Sequence, residues 1–237
     1  MAKLNYTFMV LKEHPYGREM LRQLIAAGFE PQTIIEEDSP VADEEREKFL
    51  TRIKGFPVAP TFTEQLEGRG IERHSVPHHN KRESKELLED IKPNLVVLGG
   101  TRIIKPALIT IPRDGMLNSH PGLLPECRGS ASVAWSIYFD IPIGCTVHFI
   151  DPSIDTGPII KSQLIPVHRE DTYEKLCWET IGLAGELMVY AVDQWTKGTL
   201  KATSQPAGQE ALRVAPPDVL EVVYKKLRDG TYKHFVD

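Results

Sequence analysis

An α/β fold, with a mostly parallel sheet covered by helices on both faces, is the class this sequence predicts, and three observations predict it. Short apolar, β-prone runs alternate along the chain with amphipathic stretches at helical spacing. One run, Leu95-Val96-Val97-Leu98, is continuous and branched in the manner of a central parallel strand. The chain is also large enough, at 237 residues and 41% hydrophobic, to bury one full core with an appendage.

The elements follow in order. Tyr6-Thr7-Phe8-Met9-Val10-Leu11 reads as a buried first strand. Residues 16–27 set Met20, Leu21, Leu24 and Ile25 on one face and stop at Gly28, the pattern of a helix with a glycine end. Thr33-Ile34-Ile35 predicts a second strand, residues 43–53 a helix, and the Gly- and Pro-containing residues 54–70 a mobile connection. A strand is expected over 71–76 and a helix over 84–91, ended by Pro93. Beyond residues 95–98 come a short helix at 106–109, a helix at 132–139, and strands at 144–150 and 159–167. Asp171-Thr172-Tyr173-Glu174 has the form of a capping box, with Asp171 expected to accept from the backbone near Glu174. The long helix after it places Leu176, Thr180, Ala184, Leu187, Met188, Ala191 and Trp195 on one side and ends at Gly198. Residues 199–217 are irregular, and a last amphipathic helix spans 219–227. The expected division is a catalytic domain over residues 1–168 and a helical C-terminal extension over 169–237 packed on it.

Composition excludes several classes. No stretch approaches the roughly 18 unbroken apolar residues of a membrane span, and Met1-Ala2-Lys3-Leu4-Asn5-Tyr6 lacks the apolar core of a secretory signal. A cytoplasmic location is the resulting expectation. Cys127, Cys145 and Cys177 are too scattered for a zinc knuckle or redox pair and are expected to be reduced thiols. Lys plus Arg is 28 against 33 Asp plus Glu, a net charge of −5, and Glu36-Glu37-Asp38 with Asp43-Glu44-Glu45 adds an acidic stretch. A polyanion-binding protein shows a basic surplus, so nucleic acid is disfavoured as a partner. A homo-oligomer is compatible with the sequence, which does not separate an exposed apolar face from a core face.

The residues that carry chemistry lie where an open parallel sheet binds ligands, beyond the carboxyl ends of its strands. Gly99-Gly100-Thr101 and the run from Asn118 onward both fall there. Gly99-Gly100 lacks the spacing of a dinucleotide fingerprint. Asn118 and His120 are two apart, so an extended chain points both to one side. Pro121 forbids a helix directly after them. Alone, a strand-end His is more often structural than catalytic, and Asp155 ahead of Gly157 reads equally as a turn residue. His148, between Val147 and Phe149, reads as a satisfied core histidine near the site.

Taken together, Asn118-Ser119-His120-Pro121-Gly122-Leu123-Leu124-Pro125, Arg128-Gly129 and Asp155-Thr156-Gly157 resemble the motifs of the folate-dependent formyltransferase family, which includes glycinamide ribonucleotide, methionyl-tRNA and sugar N-formyltransferases. The match is strong over residues 95–165. One departure is Gly122, where the family usually has Ser; an altered turn without loss of chemistry is expected. The resemblance implies a Rossmann-like fold and transfer of a formyl group from 10-formyltetrahydrofolate to an amine. An Asn amide such as Asn118 suits oxyanion stabilisation, and a protonated His120 adds a charge-assisted donor to the same oxygen. Asp155 would keep that imidazolium populated and relay the proton, through water. The resemblance also carries pterin contact over to Arg102, Ile103 and Ile104 and to Asp151 and Ile154, although Arg102 reads equally as a surface residue. Arg128 either positions the Leu123-Leu124-Pro125 loop or meets an anionic acceptor.

The acceptor is approached by elimination. Lys12-Glu13-His14-Pro15-Tyr16-Gly17 does not resemble the phosphate loop of the purine-pathway enzyme. The residues after Val167 show no basic surplus of the kind carried by the C-terminal domain of the tRNA enzyme, and with a first strand near Tyr6 the N-terminal domain usual in formyltetrahydrofolate deformylase is not expected. A small-molecule amine, such as a nucleotide-linked amino sugar, fits best, with the irregular residues 205–217 expected to contact it. A catalytically silent folate or nucleotide-sugar binding protein is the alternative from another class.

Overall fold

The chain, a computed structural model, is described over residues 4–206 and 210–237. Its elements run β1 (Tyr6–Leu11), α1 (Pro15–Ala26), β2 (Thr33–Glu37), α2 (Pro40–Arg52), α3 (Phe62–Leu66), β3 (Glu72–Val76), α4 (Arg82–Ile91), β4 (Leu95–Leu98), α5 (Pro106–Ile109), β5 (Met116–His120), α6 (Ser132–Phe139), β6 (Gly144–Phe149), β7 (Ile159–Leu164), α7 (Tyr173–Thr196) and α8 (Pro217–Arg228). One seven-stranded sheet has the order β3-β2-β1-β4-β5-β6-β7. The strands from β3 to β5 are parallel, and β6 and β7 are antiparallel. The predicted α/β class is thus observed, with two antiparallel strands added on one flank.

Burial explains the order. Strands β1, β2 and β4 are buried throughout, as strands covered on both faces must be. The edges, β3 and β7, are partly exposed and carry Glu72, Arg73 and Lys161, charges that discourage pairing with another chain. Helices α1 and α7 cover one face: Met20, Leu21 and Leu24 meet Leu187, Met188 and Ala191 in a core shared with Tyr6, Phe8 and Val10. The opposite face is a smaller core built from Met9, Ile35, Val96, Leu98 and Met116 under Leu88 and Leu108. Because α7 belongs to the main core, the start of the C-terminal extension has no separate core of its own.

Local capping shifts several predicted boundaries. Helix α2 begins at Pro40 because the Ser39 side chain accepts from the Ala42 N–H and proline suits the first helical position. The connection over 54–70 contains α3, whose Thr61 and Glu64 form a reciprocal capping box. At α7 the cap is Thr172, whose Oγ1 accepts from the Lys175 N–H at 3.2 Å. Asp171, expected in that role, instead accepts from the His168 N–H at 2.7 Å and pairs with Lys175.

Candidate active site

The parallel order changes direction between β1 and β4, and the loops beyond their carboxyl ends open a cleft of about 1010 Å³. Asn118, His120, Asp151, Ile154 and Asp155 line it, together with Arg102, Ile103 and Ile104. A larger groove of about 1250 Å³ runs between α1, β7 and α7 and contains none of these residues.

The floor is set by strand register. Asn118 pairs with His148 and His120 with Thr146 across β5 and β6. Directly opposed residues share a face, so four polar side chains stand together on it. His148 is fully buried, and its Nδ1 lies 2.8 Å from the Phe149 carbonyl. A carbonyl only accepts, so Nδ1 carries the proton and Nε2 is left as an acceptor. The Asn118 Nδ2 lies 3.2 Å from that Nε2 and donates to it. Burial lowers the His148 pKa to about 4, against the opposing pull of Asp155, so the ring is neutral near pH 7. The expected core histidine therefore fixes the Asn118 amide and leaves that amide its second N–H.

His120 is equally constrained. Its Nε2 lies 2.7 Å from the Cys127 carbonyl and 3.2 Å from Ser132 Oγ, which commits the Nε2 proton to the loop after β5. Its Nδ1 faces Asp155 Oδ2 at 3.5 Å, while Asp155 Oδ1 lies 3.6 Å from His148 Nε2. Asp155 Oδ2 accepts from the Gly129 N–H at 2.9 Å. The three predicted residues thus meet on one floor, although they come from β5 and from the loop between β6 and β7. Gly122 belongs to the same cluster. A Cβ there would lie 2.8 Å from His120 Nε2 and 2.8 Å from Ser132 Cβ, so the Ser132 side chain fills the space a larger residue would need.

The walls match the expected contacts unevenly. Ile103 and Ile154, on loops that both line the cleft, are 64% and 42% exposed, while Ile104 is buried. Arg102 Nε and Nη2 both donate to Glu37 Oε1, at 2.8 and 2.6 Å, so its guanidinium ties the loop to β2. Burial would raise the Glu37 pKa, but the His79 N–H, Arg102 and Ser39 outweigh it and hold the carboxyl below its usual range. Asn80 clasps the same loop, donating to the Ile103 carbonyl at 2.8 Å and accepting from the Lys105 N–H at 2.7 Å. Asp151 Oδ1 accepts from the Ser153 N–H and Thr156 Oγ1, which makes it the turn-former of the loop carrying Asp155. Arg128 is buried and donates to Gln205 and to the Pro206 carbonyl. Of the segment 205–217, residues 207–209 lie outside the described residues, and Leu212, Arg213 and Val214 line the cleft.

On the other side, His14 caps α1 by accepting from the Tyr16 N–H, and Pro15 has none to offer. Burial lowers the His14 pKa to about 4, with Arg52 and Arg46 adding to the effect. The Tyr16 hydroxyl donates to the Ser119 carbonyl and so braces β5 between Asn118 and His120. Sequence reasoning does not single out His14, Asn80, Ser132 or His148 as site residues, and it gives Gln205 only as the start of the segment expected to contact the acceptor. Only the pairing of β5 with β6 could have found His148, and no local signal marks the others.

Comparison with known proteins gives the family. The formyl transferase family model matches residues 45–192. A methionyl-tRNA formyltransferase from Aromatoleum aromaticum (strain DSM 19018 / LMG 30748 / EbN1) is 29% identical over 196 residues, covering 81% of this chain and 58% of that protein. The chain therefore spans somewhat over half the length of that relative. Among solved structures, glycinamide ribonucleotide transformylase 1 from Symbiobacterium toebii superposes with a TM-score of 0.63 at 19% identity, covering 87% of this chain and 96% of that one. An N-formyltransferase from Helicobacter canadensis, in complex with folinic acid and dTDP-3-aminofucose, gives 0.62 at 17% identity, covering 89% and 71%. These likenesses show the fold, and the family match extends over more than half of the sequence: the chain belongs to the formyl transferase family.

Proposed function

We propose that the protein transfers a formyl group from 10-formyltetrahydrofolate to a primary amine of a small molecule. The observation that carries this reading is the convergence of Asn118, His120 and Asp155 on one floor, with neutral His148 fixing the Asn118 amide. In the reaction the amine nitrogen attacks the formyl carbon, and the carbonyl oxygen becomes an oxyanion. The free N–H of Asn118 donates to it without competing as an acid. With Nε2 committed to Cys127, His120 offers only its Nδ1 edge, and that edge faces Asp155. The amine gives up its proton to the Asp155 carboxylate, which delivers it, through water, to the departing folate nitrogen. The carbon–nitrogen bond to folate then breaks and tetrahydrofolate leaves. The cleft suits the donor: the exposed Ile103 and Ile154 offer apolar surface to a flat heterocycle, and nearby backbone groups can read its edge.

For the acceptor, the finer reading is an amino sugar linked to a nucleotide. It is supported by the Helicobacter canadensis complex with dTDP-3-aminofucose. The start of α1 also argues against a phosphate there, since Pro15 lacks an N–H and the Tyr16 N–H is taken. Methionyl-tRNA is the second reading, favoured by the Aromatoleum relative and opposed by the net charge of −5. The test is tetrahydrofolate release with dTDP-linked amino sugars, with methionyl-tRNA, or with no amine. Release only with the amino sugar is the expected result. Release with tRNA moves the acceptor to the second reading, release without amine makes the protein a deformylase, and binding without turnover makes it a sensor.

A further inference from the structure

We infer that Gln205 is a positioning residue for Asp155, and that Thr203, Gln205 and Leu212 hold the loops of Asp155 and Gly129 and so complete the active site. The inference rests on the reading of Asp155 as the proton-handling carboxylate. Asp155 has φ of 53°, in the left-handed region. A non-glycine residue is strained there and persists where its surroundings over-determine it. Gln205 supplies that determination. Its Nε2 donates to the Asp155 carbonyl at 3.0 Å and to the Gly157 carbonyl at 2.6 Å, gripping the turn on both sides. Its Oε1 accepts from Arg128 Nη2 at 2.9 Å. Two carbonyls and one guanidinium allow only this orientation of the amide.

Leu212 grips the other loop. Leu212 donates to the Arg128 carbonyl at 2.9 Å and accepts from the Ser130 N–H at 2.8 Å, flanking Gly129. Gly129 has φ of 93°, and a Cβ on it would meet the Leu212 backbone, so the close approach needs glycine. The Gly129 N–H is the one that Asp155 Oδ2 accepts. Thr203, two residues before Gln205, is anchored by exchanging two backbone hydrogen bonds with Ile159, each 2.8 Å. The carboxylate and the amide that holds it therefore sit on two loops far apart in sequence, and Gln205 with Arg128 is the side-chain bridge between them.

Turnover and spectroscopy on the full chain test this. In Gln205→Leu, the ring nitrogen resonances of His120 at pH 7 should move toward their positions in Asp155→Asn. In the Asp155→Asn background, Gln205→Leu should move them no further. Folinic acid should bind within about threefold of wild type, while kcat with whichever amine supports turnover falls about tenfold or more, the scale of a misplaced catalytic group. Gln205→Glu keeps the Arg128 contact and loses donation to the carbonyls, so it should show the same resonance shift and serves if Gln205→Leu does not fold. Wild-type resonances in either folded variant, or shifts that simply add to those of Asp155→Asn, overturn the inference. Collapse of both variants overturns it too, by making Gln205 a residue of the fold alone. Near-normal turnover of Asp155→Asn would instead sink the proton role, and the His120 resonances would still report on Gln205 separately.

Discussion

The floor of the cleft and its rim are built differently. On the floor, every polar side chain has a partner that fixes its orientation: Asn118 on His148, His120 on Cys127, Asp155 on Gly129. On the rim, Ile103, Ile154 and Val214 are exposed apolar residues, and neither Lys105 nor Arg213 forms an ion pair among the described residues. Chemistry tolerates little displacement, so its groups are held by buried hydrogen bonds. Recognition needs surface that is free until a ligand arrives, so the rim is left open.

The largest expected effect comes from breaking the floor at Asp155, the carboxylate proposed to handle the proton. Asp155→Asn should lower kcat by about 10²- to 10⁴-fold, the usual worth of a positioned acid or base, with folinic acid affinity little changed. Near-normal turnover would remove Asp155 from the chemistry. Next is packing around His120. Gly122→Ala places a methyl against His120 and Ser132, and overpacking of that kind costs about 1–3 kcal/mol. Thermal melting should show the loss, and Ser132→Gly should restore part of it by opening the same space. If the two substitutions merely add, Ser132 is not what excludes a side chain at Gly122.

The floor should also respond to acid as the rim does not. Burial leads the depression of His14, His79 and His148 to about pH 4, which leaves each ring neutral in the folded protein. Unfolded histidines take up protons below about 6.5. The folded state therefore has its full histidine contribution above about pH 6.5 and loses it as pH falls toward 4. Denaturant unfolding across that window should show stability declining, and His148→Gln should flatten the decline. An unchanged slope would mean that His148 is already protonated when folded. The smallest effects belong to the rim. Lys105→Ala and Arg213→Ala should leave stability within about 0.5 kcal/mol, as surface changes usually do, and act on KM rather than kcat. A loss of kcat in either would erase the distinction between floor and rim.

Legibility in the sequence varies with the range of the interaction. The strand at Leu95–Leu98 and the helix face of Leu187, Met188 and Ala191 follow from local periodicity and are found as expected. Asn118 and His120 share a face because alternation in a strand is local. From sequence His148 reads as structural, because Asn118, the partner it orients, is set opposite it by register from 30 residues away. The tie of Arg102 to Glu37 is set in the same way, since the two are 65 residues apart.

By itself, the sequence determined the α/β class, most element positions, and the three side chains that meet on the floor. These depend on periodicity, on turn chemistry and on a run of residues whose order is the signature. Only the tertiary structure decided that β6 and β7 run antiparallel, that His148 orients Asn118, and that Gln205 and Leu212 reach back to grip the loops of Asp155 and Gly129. Such contacts join residues whose separation along the chain carries no periodic signal; they are fixed when the core collapses and brings the strand ends together.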